Sequence, residues 1–327
     1  MATTQRPAIH AEDDVDRDHA LALYRRMRLI RRFEETVQAL FLRGEVHGTT
    51  HLYVGQEAVA TGVGDVLTPQ DRVAATYRGH GHALAVGVDP QALLDEMLGR
   101  SSGVCGGRAG SMNVIDLDHG LLGCFGIIGG SMSAATGAAL ALRRTGGVAV
   151  SYFGDGATNH GYFHECLNFA AVNHLPIVYV CENNLYGEFT PWEDVTAGEI
   201  LARPRALGIG AEQVDGMDVL VVRDAAARAV GKARAGDGPI FIEALTYRFV
   251  GHSRSDPATY RKEGELDTWK LRDPLTVGAT ELKARFDVDD QEVSAIDAEV
   301  DTLMEQAAEA ALAAPYPEPP PAASEFR

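Results

Sequence analysis

The stretch "YFGDGATNHG", Tyr152–Gly161, decides how this chain reads. It closes an apolar run, "VAVSYF" at 148–153, and turns through two glycines around one carboxylate, Asp155. One strand–helix–strand unit later a second apolar run, "LPIVYVCENN" at 175–184, ends in paired asparagines. In a parallel sheet, ligands bind outside the carboxyl ends of the strands. Crossover connections set consecutive parallel strands side by side or nearly so. The side chains of Asp155 and Asn184 are therefore expected to converge on one point. A carboxylate and a neutral amide oxygen are hard ligands, suited to Mg2+ or Ca2+ and not to Zn2+. Mg2+ sites with few protein ligands complete their octahedron with phosphate oxygens. Gly154, Gly156 and the helix start that follows would offer backbone N–H groups to those phosphates. The plainer alternative makes Asp155 a helix cap and Asn183–Asn184 a turn.

Working outward, strand and helix patterns alternate. Strands are expected at 148–153, 177–181, 219–222 and 240–247, and helices at 162–172 and 225–235. Alternation of this kind predicts an α/β fold, a parallel sheet flanked by helices. Upstream, residues 12–43 read as one long helix, with Leu23, Met27, Ile30, Phe33, Val37 and Leu40 at helical spacing and Gly44 ending it. Pro90 suits the first turn of a helix at 90–98. The stretches 48–81, "GRSSGVCGGRAGSMN" and "GLLGCFGIIGGS" are dense in glycine and read as loops that let the backbone approach something closely. Ser131–Leu142 is a helix of small residues, 249–266 an aperiodic loop, and 293–313 a last helix. The Pro-rich end, 315–327, reads as an extended and mobile tail. With no repeat and no linker, the 327 residues are expected to form one domain, of which 1–45 is an N-terminal helical arm.

Composition narrows the partners. A formal net charge of −17 argues against nucleic acid, since phosphate binding needs a basic surface. No run approaches a membrane span, and the first residues lack an apolar signal region. Four scattered cysteines (Cys105, Cys124, Cys166, Cys181) read as reduced thiols, and a cytoplasmic location is expected. No GxGxxG follows the first expected strand, which argues against a dinucleotide site.

The GDG and NN pairs together resemble the thiamine diphosphate signature. "HLYVGQEA", "TYRGHGHALA", "GRAGSMN", "GIIGGS", "ENNLYGEFTP", "VDGMDV" and "GHSRSDPATYR" then occur in order along residues 20–275. They are similar to the alpha subunit of the decarboxylating component of 2-oxo acid dehydrogenase complexes, a family that includes pyruvate, branched-chain 2-oxo acid and acetoin dehydrogenases. The resemblance implies thiamine diphosphate and Mg2+ as cofactors, with the metal held by Asp155, Asn184 and the carbonyl of Tyr186. It implies Gly154, Gly156 and Ala157 along the diphosphate, and Tyr77 and Arg78 on its phosphates, where a guanidinium fork suits the geometry. Gly126 and Ile128 match positions beside the aminopyrimidine ring. His252 matches a histidine near the reacting carbon, and His51 a residue of the substrate channel.

The same resemblance implies oxidative decarboxylation of a small 2-oxo acid, pyruvate favoured, with reductive acylation of a lipoyl group on a dihydrolipoyl acyltransferase. The alternatives are an acetoin or branched-chain dehydrogenase subunit, or a transketolase-like carboligase subunit. In two-chain members the glutamate that activates the cofactor lies on the beta subunit. An obligate beta partner in an α2β2 assembly is therefore expected, with Ser131–Leu142 and the N-terminal helix as candidate interfaces. The loop 249–266 is expected to guard the channel. The chain departs from the family pattern at Thr49, Thr50, Asn113 and Val250, all away from the metal clamp.

Overall fold

The computed structural model describes residues 15–46 and 48–319. Its centre is β4 (Ile177–Asn183), buried along its whole length. Alternation of side chains splits this strand between two cores. Val178 and Val180 face one, and Ile177, Tyr179 and Cys181 face the other. The neighbouring strands β3 (Ala149–Gly154) and β6 (Ile240–Leu245) are divided in the same way, which is why they read as continuous apolar runs. With β1 (Arg72–Thr76), β2 (Leu121–Phe125) and β5 (Gly210–Asp215) they form a six-stranded sheet in the order β2-β1-β3-β4-β6-β5. Every pairing is parallel. The expected α/β sheet is present, and β3 and β4 are direct neighbours, with Gly154 opposite Glu182.

One face of the sheet is covered by α1 (Arg17–Leu42), α2 (Glu57–Asp65), α3 (His80–Ala85), α4 (Pro90–Met97), α9 (Val219–Ala235) and α12 (Asp290–Ala313). The other is covered by α5 (Gly130–Leu142) and α6 (Gly161–Val172). Short helices α7 (Trp192–Val195), α8 (Ala202–Ala206) and α10 (Glu265–Lys270), and the longer α11 (Pro274–Phe286), complete the set. The long N-terminal helix begins at Arg17, capped by Asp16, and the chain turns out of it at Gly44, φ +79°. The expected residues 12–14 of that helix lie outside the described region.

Several expectations are corrected. Val219–Val222 is not a strand but the first turn of α9. The Asp218 carboxylate accepts from the amides of Leu220 and Val221, and this cap sets the helix going through a β-branched run. The strand of that unit is β5, a half-exposed edge strand without an apolar run. The glycine-rich stretch 48–81 holds α2 and β1. Gly62 is there because α2 packs directly on α9: a Cβ would sit 2.8 Å from the amide nitrogen of Arg223. The second glycine-rich stretch wraps a side chain of its own chain. The buried Glu96 carboxylate accepts from the amides of Cys105, Gly107, Ala109 and Gly110. The first two residues of the tail touch the body of the chain. The amide of Ser101 donates to the Pro315 carbonyl at 2.9 Å, and the Arg100 guanidinium lies 4.1 Å from the Tyr316 ring. Residues 320–327 lie outside the described region.

Candidate active site

The carboxyl ends of β3 and β4 open onto a cleft lined by both strand ends and by the loop at 248–252. At the end of β3 the chain enters a 3₁₀ turn, Asp155–Asn159, and α6 starts only at Gly161 with His160 as its cap. The turn fills the gap between GDG and the expected helix, which begins one residue before the expected 162. Asp155 is 1% exposed, and among the described residues neither carboxylate oxygen has a hydrogen-bond partner. Burial raises its pKa from 3.8 to about 6, against the pull of its own amide, that of Asn184 and the charge of Arg248. It is not a helix cap.

The two asparagines have different tasks. Asn183 Oδ1 accepts from the amide of Leu185 and its Nδ2 donates to Glu243, so this residue does make the turn of the plainer reading. Asn184 Nδ2 donates to Gln56 Oε1 at 2.9 Å, which leaves Asn184 Oδ1 buried and without a partner. Between Asn184 and Tyr186, Leu185 has φ +72°, a left-handed conformation that a branched side chain seldom adopts. Backbone strain of this kind costs on the order of 1–3 kcal/mol and collects at functional sites. Two carboxylate oxygens and one amide oxygen, all buried and unpaired, are a donor set that fits a hard cation. Among the described residues no cluster of three or more His, Cys, Asp or Glu side chains could hold a metal. A site here must mix carboxylate with amide and carbonyl oxygens.

Facing the oxygens are two buried cations. Arg78 is 4% and Arg248 2% exposed, and among the described residues neither has a carboxylate within salt-bridge distance. Arg78 donates to the carbonyls of Leu52 (2.7 Å) and His252 (2.9 Å). Arg248 donates to the Tyr260 hydroxyl (2.7 Å), the Val250 carbonyl (3.2 Å) and His252 Nδ1 (3.3 Å). Burial, with Arg248 nearby, lowers the Arg78 pKa to about 10. Two buried, uncompensated guanidinium groups are the electrostatic complement of a polyanion.

Of the expected site residues, Tyr77, Arg78, Ile128, Gly154, Asp155, Gly156, Ala157, Asn184, Tyr186 and His252 all line the cleft. Gly126 and His51 do not. His51 is buried behind the wall, its ring 4.6 Å from that of Tyr77 and 5.1 Å from that of His252. Burial lowers its pKa to about 3, and burial with Arg78 and Arg248 lowers that of His252 to about 4, so both rings are neutral at pH 7. Sequence reading missed Gln56, Glu182 and Arg248, which also line the cleft. Arg248 left one signal, a charged residue at the exit of the apolar run "IFIEALTYRF". The loop 249–266 is irregular to Gly264, where α10 takes over. Arg261 braces it by donating to the carbonyls of Arg248, Phe249 and Val250.

A glycine turn and an asparagine turn at adjacent strand ends, with these buried oxygens between them, set the context for comparison. The family model described as "Dehydrogenase E1 component" matches residues 25–320. The chain belongs to the dehydrogenase E1 component family. It is 42% identical over 309 residues to the alpha subunit of acetoin:2,6-dichlorophenolindophenol oxidoreductase of Cupriavidus necator, covering 93% of each chain. It is also 42% identical over 316 residues to the pyruvate dehydrogenase E1 component subunit alpha of Zymomonas mobilis, covering 95% of this chain and 89% of that one. The acetoin relative of Bacillus subtilis is 42% identical over 304 residues, 92% of this chain and 91% of its own. Among the described residues no helix is long and apolar enough to cross a membrane.

Proposed function

We propose that this chain is the alpha subunit of a thiamine diphosphate-dependent 2-oxo acid dehydrogenase, with pyruvate as substrate and a lipoyl group as acyl acceptor. The observation that carries the reading is the set of buried, unpaired oxygens on Asp155 and Asn184 at the ends of β3 and β4. Asp155, Asn184 Oδ1 and the Tyr186 carbonyl would hold Mg2+. Gln56 supports this by occupying the NH2 group of Asn184, which leaves the Asn184 amide oxygen free to hold an ion. Gly154, Gly156 and Ala157 would line the diphosphate with backbone, and Arg78 and Tyr77 would bind its phosphates. Ile128, half exposed at the mouth of the cleft, would support the organic part of the cofactor, and Gly126 would serve through its backbone. When bound, thiamine diphosphate supplies a nucleophilic carbon and an electron sink for cleaving the bond beside the oxo group.

His252 would hydrogen-bond the reacting group as a neutral imidazole, and His51 would keep the His252 and Tyr77 rings in place. The loop 249–266 would keep water from the reacting centre. A beta subunit would complete the site and a lipoyl domain would collect the acyl group. For the partner's seat we favour the outer faces of α5 and α6. Leu140, Tyr162, Phe169 and Val172 are exposed there, whereas the apolar stripe of α1 is spent inside this chain. A second reading, cleavage of acetoin, has the same support from identity, 42% to relatives of either kind. The test is turnover of the co-expressed alpha and beta chains with a lipoyl acceptor. Release of CO2 from pyruvate upholds the first reading. Consumption of acetoin without CO2 replaces it with the second.

A further inference from the structure

We propose that Arg248 is a positioning residue that fixes the tautomer of His252, so that the imidazole presents an Nε2–H to the cleft. Arginine has five donors and no acceptor. Its Nη1 lies 3.3 Å from His252 Nδ1, so Nδ1 receives the hydrogen bond on a bare lone pair. A neutral ring has one proton, and that proton is left to Nε2. The ring is neutral because burial, Arg78 and Arg248 all disfavour its cation.

The guanidinium is itself held. Its Nη2 donates to the Tyr260 hydroxyl at 2.7 Å, and Tyr260 donates to Asp256 Oδ2 at 2.8 Å. The same Asp256 oxygen accepts from the His252 amide at 2.6 Å. The circuit is closed: one carboxylate fixes the backbone of His252 and, through Tyr260 and Arg248, the ring. Arg78 adds a second grip on the backbone through the His252 carbonyl. The Gly187 carbonyl, which accepts from Arg248 Nη1 at 3.4 Å, is also within reach of the His252 ring and would compete for its proton. Without the guanidinium, Nδ1 can carry the proton to that carbonyl, and Nε2 would turn from donor to acceptor. The consequence for turnover rests on the function proposed above; the tautomer is a property of the chain itself.

The experiment is 15N magic-angle-spinning NMR of the co-expressed alpha and beta chains, labelled at the histidine ring nitrogens, at pH 7.5 and without cofactor. The His252 signals are identified by their loss in His252→Asn. The expected result is an Nε2–H tautomer in the wild type and an Nδ1–H or mixed tautomer in Arg248→Met. Tyr260→Phe keeps the cationic charge and frees the guanidinium, so it covers the case in which Arg248→Met fails to fold. It should show a partial shift, with kcat down about 10–100-fold and KM within a few-fold. A wild-type Nδ1–H tautomer, or an Nε2–H tautomer unmoved in the folded variants, overturns the proposal. A tautomer that moves as expected in a complex that binds no thiamine diphosphate upholds the lock and overturns the functional reading alone.

Discussion

At the scale of single residues, the cleft and the wall behind it contain groups whose charge states oppose folding in opposite pH ranges. Asp155 has its pKa raised from 3.8 to about 6. Its carboxyl therefore favours the metal-free fold below pH 3.8, and that contribution is lost as pH rises to about 6. Asp155→Asn should stabilise the metal-free protein at pH 7.5 by up to roughly 3 kcal/mol, since one pKa unit is about 1.4 kcal/mol. Denaturant melts of both proteins check this; a destabilised Asp155→Asn would contradict it. His51 and His252 carry the opposite sign. Their pKa values fall from 6.5 to about 3 and about 4, so the stability they contribute is complete above pH 6.5 and drains away as pH falls through those values. His51→Asn should flatten the loss of stability between pH 6.5 and 5, and identical slopes in the two proteins would sink this reading. Asp155 and Asn184 were legible in the sequence because strand ends in a parallel sheet are where ligands bind. Gln56 was not, because its role depends on meeting Asn184 across the fold, and Arg248 was not, because its partners lie in an aperiodic loop whose path only the structure gives.

At the scale of elements, the buried strands were legible and the edges were not. β3, β4 and β6 are apolar on both faces and announce themselves. β5 is half exposed, and β1 and β2 are five residues each, so none of them has a period to detect. The glycines that made α2 read as loop are packing points against α9 and α3, which only the tertiary structure reveals. For α9, local capping outweighs β propensity. Asp218→Ala removes the carboxylate oxygen that accepts from two amides at its start and should cost about 1 kcal/mol without changing the fold. The turn after β4 allows a sharper test. Leu185 pays for a left-handed conformation that glycine adopts freely. Leu185→Gly should therefore retain Mg2+-dependent cofactor binding, while Leu185→Val should weaken it. Equal affinity in the two variants would mean that the backbone at 185 does not aim the Tyr186 carbonyl.

At the scale of the molecule, charge is used in two ways. Arginines of α1 pair with acids of α12: Arg25 with Glu299 at 2.6 Å, Arg28 with Asp301 at 2.7 Å and Arg32 with Asp301 at 2.9 Å. These pairs lie at the surface, partly to largely exposed, and are worth about 0–1 kcal/mol each. Arg31, by contrast, joins the fully buried Glu57 at 2.6 Å and reaches Asp273 at 3.0 Å, tying α1 to α2 and to the start of α11. Breaking such a buried pair costs about 3–5 kcal/mol. Glu57→Gln should lower the melting temperature far more than Glu299→Gln, as calorimetry of the two variants would show. The outer faces of α5 and α6 are the third whole-molecule feature. Phe169→Asp should leave the alpha chain folded and abolish its co-purification with the beta chain; undiminished assembly would move the seat elsewhere. The proposed function depends on the cleft being a metal–diphosphate clamp. The most direct measurement is titration calorimetry of thiamine diphosphate into the co-expressed chains, with and without Mg2+, for the wild type and Asp155→Ala. The account predicts tight binding that needs both the ion and Asp155. Equal binding by the variant, or none by the wild type, would contradict it.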